Sequence, residues 1–130
     1  RMFSGFWPNA DPAEHDVAEP INRLPKFVVS NSLDSAPWGS EAIEILRGEG
    51  TDSAKSLKKR FKSIAVWGSL QLAESLMVAN VVDILRLRIV PVLIGNGRSF
   101  TPTTLTQHPM MLENVHQHPT GHVTLTYQLK

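Results

Sequence analysis

The 130-residue sequence contains no cysteine, which removes disulfides, thiolate nucleophiles and thiolate metal sites and is compatible with a reducing compartment. It has no uninterrupted apolar run near the ~18 residues of a membrane span, and its first residues carry no secretory signal pattern. An excess of charge of one sign is also missing. Thirteen Lys and Arg stand against 12 Asp and Glu, a formal net charge of +1, so no global field favours nucleic acid or an anionic membrane. Neither an internal repeat nor a low-complexity linker interrupts the chain. These absences predict a soluble cytoplasmic protein with neither nucleic acid nor membrane among its partners, whose recognition sites are local.

The composition, 42% hydrophobic and 19% charged, is that of a globular protein with enough chain for one sizeable core, and one domain over residues 1–130 is expected. The opening "RMFSGFWP" is a short apolar stretch stopped by Pro8. It reads as the end of a helix rather than the start of a domain, so an upstream segment is expected to be missing. "PAEHDVAEPINRLP" has room for at most two short helical pieces around Pro20. "KFVVSNS" (26–32) has the β-branched and aromatic content of a buried strand, and "EAIEIL" (41–46) that of a short edge strand. From Asp52 or Ser53 a capped helix places Ala54, Leu57 and Phe61 on one side and lysines on the other.

"SIAVWG" is apolar on both faces, as expected of a central strand. A second helix, about 69–79, keeps Leu72, Ala73, Leu76 and Met77 together. "DILRLRIVPVLIG" (83–95) predicts one long strand. "MMLENVHQH" and "HVTLTYQL" around a Pro-Thr-Gly turn predict a terminal hairpin with one apolar face. The order strand, strand, helix, strand, helix, strand, hairpin predicts an α/β fold. Its sheet is mixed and mostly parallel, with flanking helices and a C-terminal antiparallel hairpin.

In such a sheet, ligands sit at the carboxyl ends of strands, where a helix N-terminus offers free N–H groups to an anion. "VWGSLQL" fits that place. Gly68 permits close backbone approach, and Ser69 either caps the helix or donates to a phosphate oxygen. An ordinary helix cap explains the same two residues. The basic helix with Lys55, Lys58, Lys59, Arg60 and Lys62 reads as a solvated face. His116, His118 and His122 gather near one turn with no acidic companion close by, and no metal site is expected there. The three tryptophans read as core and rim packing, and Gly95 to Arg98 as a turn or a backbone approach to a ligand.

Six pieces in register, "FSGFWP", "PKFVVSNSL", the lone Trp38 after it, "IAVWGSLQLAESLM", "VVDILRLRIVPVLIGNGRSF" and the terminal "GHVTLTYQ", together resemble the dihydrofolate reductase-like family. The likeness is to the C-terminal reductase domain type of riboflavin biosynthesis enzymes, especially small stand-alone bacterial members. The resemblance implies an NADPH-dependent oxidoreductase that transfers hydride to a pteridine- or pyrimidine-like small molecule. It places Gly68, Ser69, Leu70 and Gln71 under the cofactor pyrophosphate, and Ser30, Asn31 and Ser32 near the adenosine 2'-phosphate.

Three departures accompany it. Asn31 stands where the family carries arginine, removing a charge-assisted contact of roughly 1.5–3 kcal/mol, so NADPH or NADH is left open. Ile84 stands where many relatives have an acidic residue. The family's first strands and substrate-side helix do not occur in the sequence, so the proton donor is unknown. The alternative is a catalytically inactive, shortened relative serving as a nucleotide-binding or assembly module. A homodimer is expected, because the hairpin has more apolar surface than a small chain can cover.

Overall fold

The computed structural model describes residues 2–129 and divides into two compact units, Arg1–Ser53 and Ala54–Lys130. The first contains helices α1 (Met2–Phe6) and α2 (Ala18–Arg23), separated by a 3-10 turn at Trp7–Asn9. Strands β1 (Phe27–Val29), β2 (Pro37–Trp38), β3 (Glu41–Ala42) and β4 (Glu44–Leu46) follow. Pro20 is tolerated because it falls in the first turn of α2, where its missing N–H has no intrahelical partner to lose. At the other end Lys26 Nζ donates to the carbonyl oxygens of Ile21, Asn22 and Leu24 at 3.0, 2.9 and 2.6 Å. A cation there satisfies orphan carbonyls and complements the helix dipole.

Asn22 ties the unit together with both ends of its amide. Its Nδ2 donates to Trp7 O at 2.8 Å, and its Oδ1 accepts from Trp38 Nε1 at 2.7 Å. Lys26 lies 5.1 Å from the Trp38 ring centroid, and His15 meets both Phe6 and Trp7 edge-to-face. β1 pairs in parallel with β4, Phe27 opposite Glu44 through Val29 opposite Leu46, while β2 and β3 form a small antiparallel pair. The expected edge strand 41–46 is therefore split at Ile43, each half serving a different neighbour. Ile43 N donates to Ala36 O at 2.8 Å, which marks the changeover.

The chain passes into the second unit along α3 (Gly50–Arg60), whose Leu57 is buried. Lys58 Nζ donates to Val81 O at 3.0 Å and also binds the Asp83 carboxylate. α4 (Leu70–Val78) buries Leu76 and Met77. It ends because Asn80 adopts φ 54°, with Val81 N bonded to Leu76 O at 2.9 Å and Asn80 N to Met77 O at 3.0 Å. That is the Schellman arrangement, in which asparagine is the usual substitute for glycine.

Strands β5 (Ile84–Ile89), β6 (Met111–Gln117) and β7 (Val123–Gln128) form an antiparallel sheet in the order β5-β7-β6. Its register sorts the side chains by chemistry. Leu85, Tyr127 and Leu112 form one cross-strand row and Leu87, Leu125 and Val115 another, both on the apolar face. Arg86, Thr126 and Asn114, then Arg88, Thr124 and His116, occupy the opposite face. A bulge between Leu112 and Asn114 preserves this sorting by taking up Glu113 as an extra residue.

The mixed α/β class and the terminal hairpin are as the sequence predicts, with parallel pairing found at β1 and β4. Two expectations are corrected. Ile64 to Trp67 belongs to none of the sheets, and Ile64, Val66 and Trp67 are 39%, 44% and 55% exposed. An apolar run becomes a strand only when another backbone completes its ladder, and among the described residues none does. The long strand expected over 83–95 stops at Ile89, opposite Val123, where β7 begins. Beyond it there is no β7 backbone to pair with, and Pro91 brings no N–H. Among the described residues no helix is long and apolar enough to cross a membrane.

Candidate functional site

Gly68 has φ 76°, in the left-handed region that glycine enters without a Cβ penalty. This turns the extended stretch before it directly into α4. Ser69 is the N-cap, in β conformation, and its Oγ accepts from Leu72 N at 3.3 Å. Ala73 N donates to Ser69 O at 3.0 Å, the first main-chain bond of the helix. The N–H groups of Leu70 and Gln71 thus precede the ladder and belong to the helix's unspent donors. The Ser69 hydroxyl hydrogen is a third donor, since the cap uses only the oxygen. Gly68, Ser69, Leu70 and Gln71 are all exposed. These donors lie exposed at the positive end of a nine-residue helix.

Ser30, Asn31 and Ser32 lie in the first unit, at the carboxyl end of β1. Ser30 N bonds to Leu46 O at 3.1 Å, extending the β1–β4 ladder by one residue. Its Oγ accepts from Ser32 N and Leu33 N at 3.3 and 3.1 Å, which folds the loop back on itself. Asn31 Oδ1 accepts from Gly48 N at 2.7 Å, so the amide clasps the end of β4. Arg47, which the sequence reading did not single out, lays its guanidinium on this loop. Nη1 donates to Ser30 O at 2.8 Å and Nη2 to Leu33 O. Its signal was an arginine directly after the strand "EIL" and before Gly48. The loop that lacks the family's arginine at Asn31 therefore still carries a guanidinium, delivered from β4.

Near the far end of α4 from Ser69, a cleft of about 680 Å³ is lined by Glu74, Ser75, Val78, Arg98, Thr101 and Thr103. Arg98 Nη2 closes part of it on Glu74 Oε1 at 3.3 Å. None of Gly68, Ser69, Leu70 and Gln71 lines this cleft.

The three histidines do gather at the β6–β7 turn. The rings of His116 and His118 are 4.4 Å apart and perpendicular. His118 Nε2 bonds to Thr124 Oγ1 at 2.9 Å, and His122 Nδ1 to Thr120 Oγ1 at 2.8 Å. Desolvation first, then the charges of His116, Arg88 and His122, hold the His118 pKa below the usual imidazole value. Among the described residues no group of three or more His, Asp or Glu is arranged to hold a metal ion.

Comparisons with known proteins bear on the whole chain. The family model described as "RibD C-terminal domain" matches residues 1–125. A solved structure from Shewanella sp. PV-4, of a protein ascribed to riboflavin biosynthesis, superposes with a TM-score of 0.71 at 18% identity. The match covers 91% of this chain and 70% of that one. A pyrimidine reductase-like protein from Corynebacterium diphtheriae gives a TM-score of 0.58 at 18% identity, over 80% of this chain and 49% of that one. No curated protein matches the sequence. At these identities the structures establish the fold, and the match over residues 1–125 establishes that the chain belongs to the RibD C-terminal domain family.

Proposed function

We propose that the chain binds NADPH or NADH at the Gly68–Gln71 turn and serves a reductase-type reaction of riboflavin biosynthesis. The family membership supports this, and one observation carries the site. Gly68 at φ 76° and the Ser69 cap leave two helix N–H groups and a hydroxyl hydrogen facing solvent at the start of α4. That donor set fits a diphosphate. The N–H groups of Leu70 and Gln71 would donate to its oxygens, Ser69 would add its hydroxyl, and Gly68 leaves room for close approach. A helix N-terminus contributes about 0.3–1 kcal/mol to an exposed anion, so further contacts must supply the rest of the affinity.

Separately, Ser30, Asn31 and Ser32 are assigned by resemblance to the adenosine 2'-phosphate, and the Arg47 guanidinium, which lies on their loop, is proposed here as its cation. When bound, the cofactor supplies the hydride, and the protein's part is position and electrostatics. A pteridine- or pyrimidine-like compound is the proposed acceptor, and a homodimer the proposed assembly.

The exposure of Ile64, Val66 and Trp67 favours a second reading. It describes a family member that binds nucleotide or assembles without turnover. Titration with NADPH, followed through Trp67 fluorescence, tests both readings. Saturable quenching that disappears in Gly68→Val, together with cofactor oxidation on adding a pyrimidine acceptor, supports the reductase. Quenching without oxidation supports the binding module, and no quenching refutes the site.

A further inference from the structure

The turn between β6 and β7 and the end of β5 beside it gather basic side chains without a matching carboxylate. In one cross-strand row Arg88 of β5, Thr124 of β7 and His116 of β6 lie side by side. His118 N donates to His122 O at 2.8 Å, which adds one more row and sets these two histidines opposite each other. Residues two apart on a strand share a face, so Arg88, His116, His118 and His122 all stand on the side of Thr124. Neighbouring strands are about 4.8 Å apart, so the backbones at Arg88 and His116 flank the short threonine at roughly 9–10 Å. The two histidines of the turn close one end of the depression.

The charges on this face are of one sign. The rings of His116 and His118 meet at 4.4 Å. Desolvation, then His116, Arg88 and His122, act on His118, with no carboxylate among them. Arg86, in the next row along β5, is exposed as well. Of the acidic residues on these strands, Glu113 sits in the bulge of β6, and Asp83, just before β5, is bound by Lys58.

Much of the hydrogen-bonding capacity is unspent. Arg88 is exposed and its guanidinium makes no hydrogen bond or ion pair among the described residues, nor does either ring nitrogen of His116. His118 engages only Nε2, with Thr124 Oγ1, and His122 only Nδ1, with Thr120 Oγ1. In a neutral ring either partner of such a bond can be the donor. An imidazolium nitrogen can only donate, so the hydroxyl oxygen must accept and its hydrogen is freed for another acceptor. Acid thus adds ring donors and releases two hydroxyl hydrogens together.

We propose that this face binds a tetrahedral oxyanion of the sulfate or phosphate class, held by the Arg88 fork and by the protonated rings of His116, His118 and His122. Arginine is the side chain that presents paired donors to such an anion. The same fixed charge, with no carboxylate to offset it, disfavours a metal ion between the histidines. The site uses none of Gly68 to Gln71, so it is independent of the cofactor reading.

Sulfate is the probe, because it stays a dianion across the histidine range and any pH dependence then belongs to the protein. Ring resonances of all five histidines are titrated in sulfate and in chloride at matched ionic strength. The pKa values of His116, His118 and His122 should rise in sulfate while those of His15 and His108 stay put. Sulfate affinity should be on the order of ten-fold higher at about pH 5.5 than at about pH 7.5. Arg88→Gln should abolish the shifts and Arg88→Lys should keep part of them. Lys55→Gln, which removes the same charge from the exposed face of α3, should leave them unchanged. Unaltered His15 and His108 resonances show that each variant is folded.

Equal shifts at all five histidines, or none, overturn the proposal. So do binding indifferent to pH and shifts that survive Arg88→Gln. Inorganic phosphate and glycerol 3-phosphate, titrated side by side, separate the two sources of the anion. Tighter binding of the ester by ten-fold or more assigns the site to esterified phosphate, equal or weaker binding of it assigns the site to the free anion, and failure of both overturns the proposal.

Discussion

Arg47 Nη1 donates to the carbonyl oxygen of Ser30 at 2.8 Å, across 17 positions of sequence. With its second nitrogen on Leu33 O, the guanidinium holds the two ends of the loop that follows β1. A charged donor to a carbonyl contributes about 1.5–3 kcal/mol when shielded, and toward the lower end here because the site is exposed. Arg47→Ala should lower the thermal midpoint by a few degrees, consistent with about 1 kcal/mol. Under the proposed function it should also weaken NADPH binding more than NADH binding. Calorimetric titration of both cofactors on the variant checks this, and equal losses would separate Arg47 from the 2'-phosphate.

Ser69 allows cap and ligand contact to be told apart. Ser69→Ala removes the acceptor for Leu72 N and should cost about 1 kcal/mol of stability. Ser69→Asp keeps a cap of comparable quality and should leave stability near the parent's. It also places a negative charge where the diphosphate is proposed to lie. Denaturation and NADPH titration on both variants should show the aspartate folded and non-binding. An aspartate variant that binds as well as the parent would move the cofactor elsewhere.

Asn22 uses donor and acceptor at once, so the cost of replacement depends on which half is lost. Asn22→Asp retains an acceptor for Trp38 Nε1 but loses the donor to Trp7 O. It should destabilise by about 1–2 kcal/mol, whereas Asn22→Leu should cost more by also removing the acceptor of Trp38 Nε1. Urea unfolding monitored by tryptophan fluorescence checks the order, which would be reversed if the latch were unimportant.

His118 should make the hairpin sensitive to acid. Its folded pKa is lowered, so the unfolded chain binds the proton more readily. Stability therefore rises with pH through the window between the lowered value and the ordinary 6.5 and falls as pH drops through it. His118→Gln should flatten the pH dependence of the thermal midpoint below the ordinary imidazole value of about 6.5. A profile unchanged by the substitution would transfer the effect to other groups.

What was legible in the sequence is what is decided locally. The Gly68–Ser69 start of α4 and the alternation of Val123, Leu125 and Tyr127 are encoded within a few residues, and each is found where the pattern puts it. The latch at Asn22 and the clasp of Arg47 on Ser30 were illegible because their partners lie 15 to 17 positions away. Nothing nearby marks them. Ile64 to Trp67 misled for a different reason. Apolarity states that a segment prefers burial, but it carries no information on which backbone will accept its hydrogen bonds.

That last stretch has a consequence for the protein in concentrated solution. Ile64, Ala65, Val66 and Trp67 combine high β propensity with no charge of their own, and they lie outside any sheet. Lys62 guards the approach on one side, while Gly68 on the other puts up no barrier. An extended segment of this kind is a template: a second chain laid alongside it gains main-chain bonds and offers a fresh edge to a third. Loss of soluble protein is then governed by encounter frequency rather than by melting. Ala65→Pro, which deletes one donor and breaks the template without touching a buried side chain, is the change that should slow it.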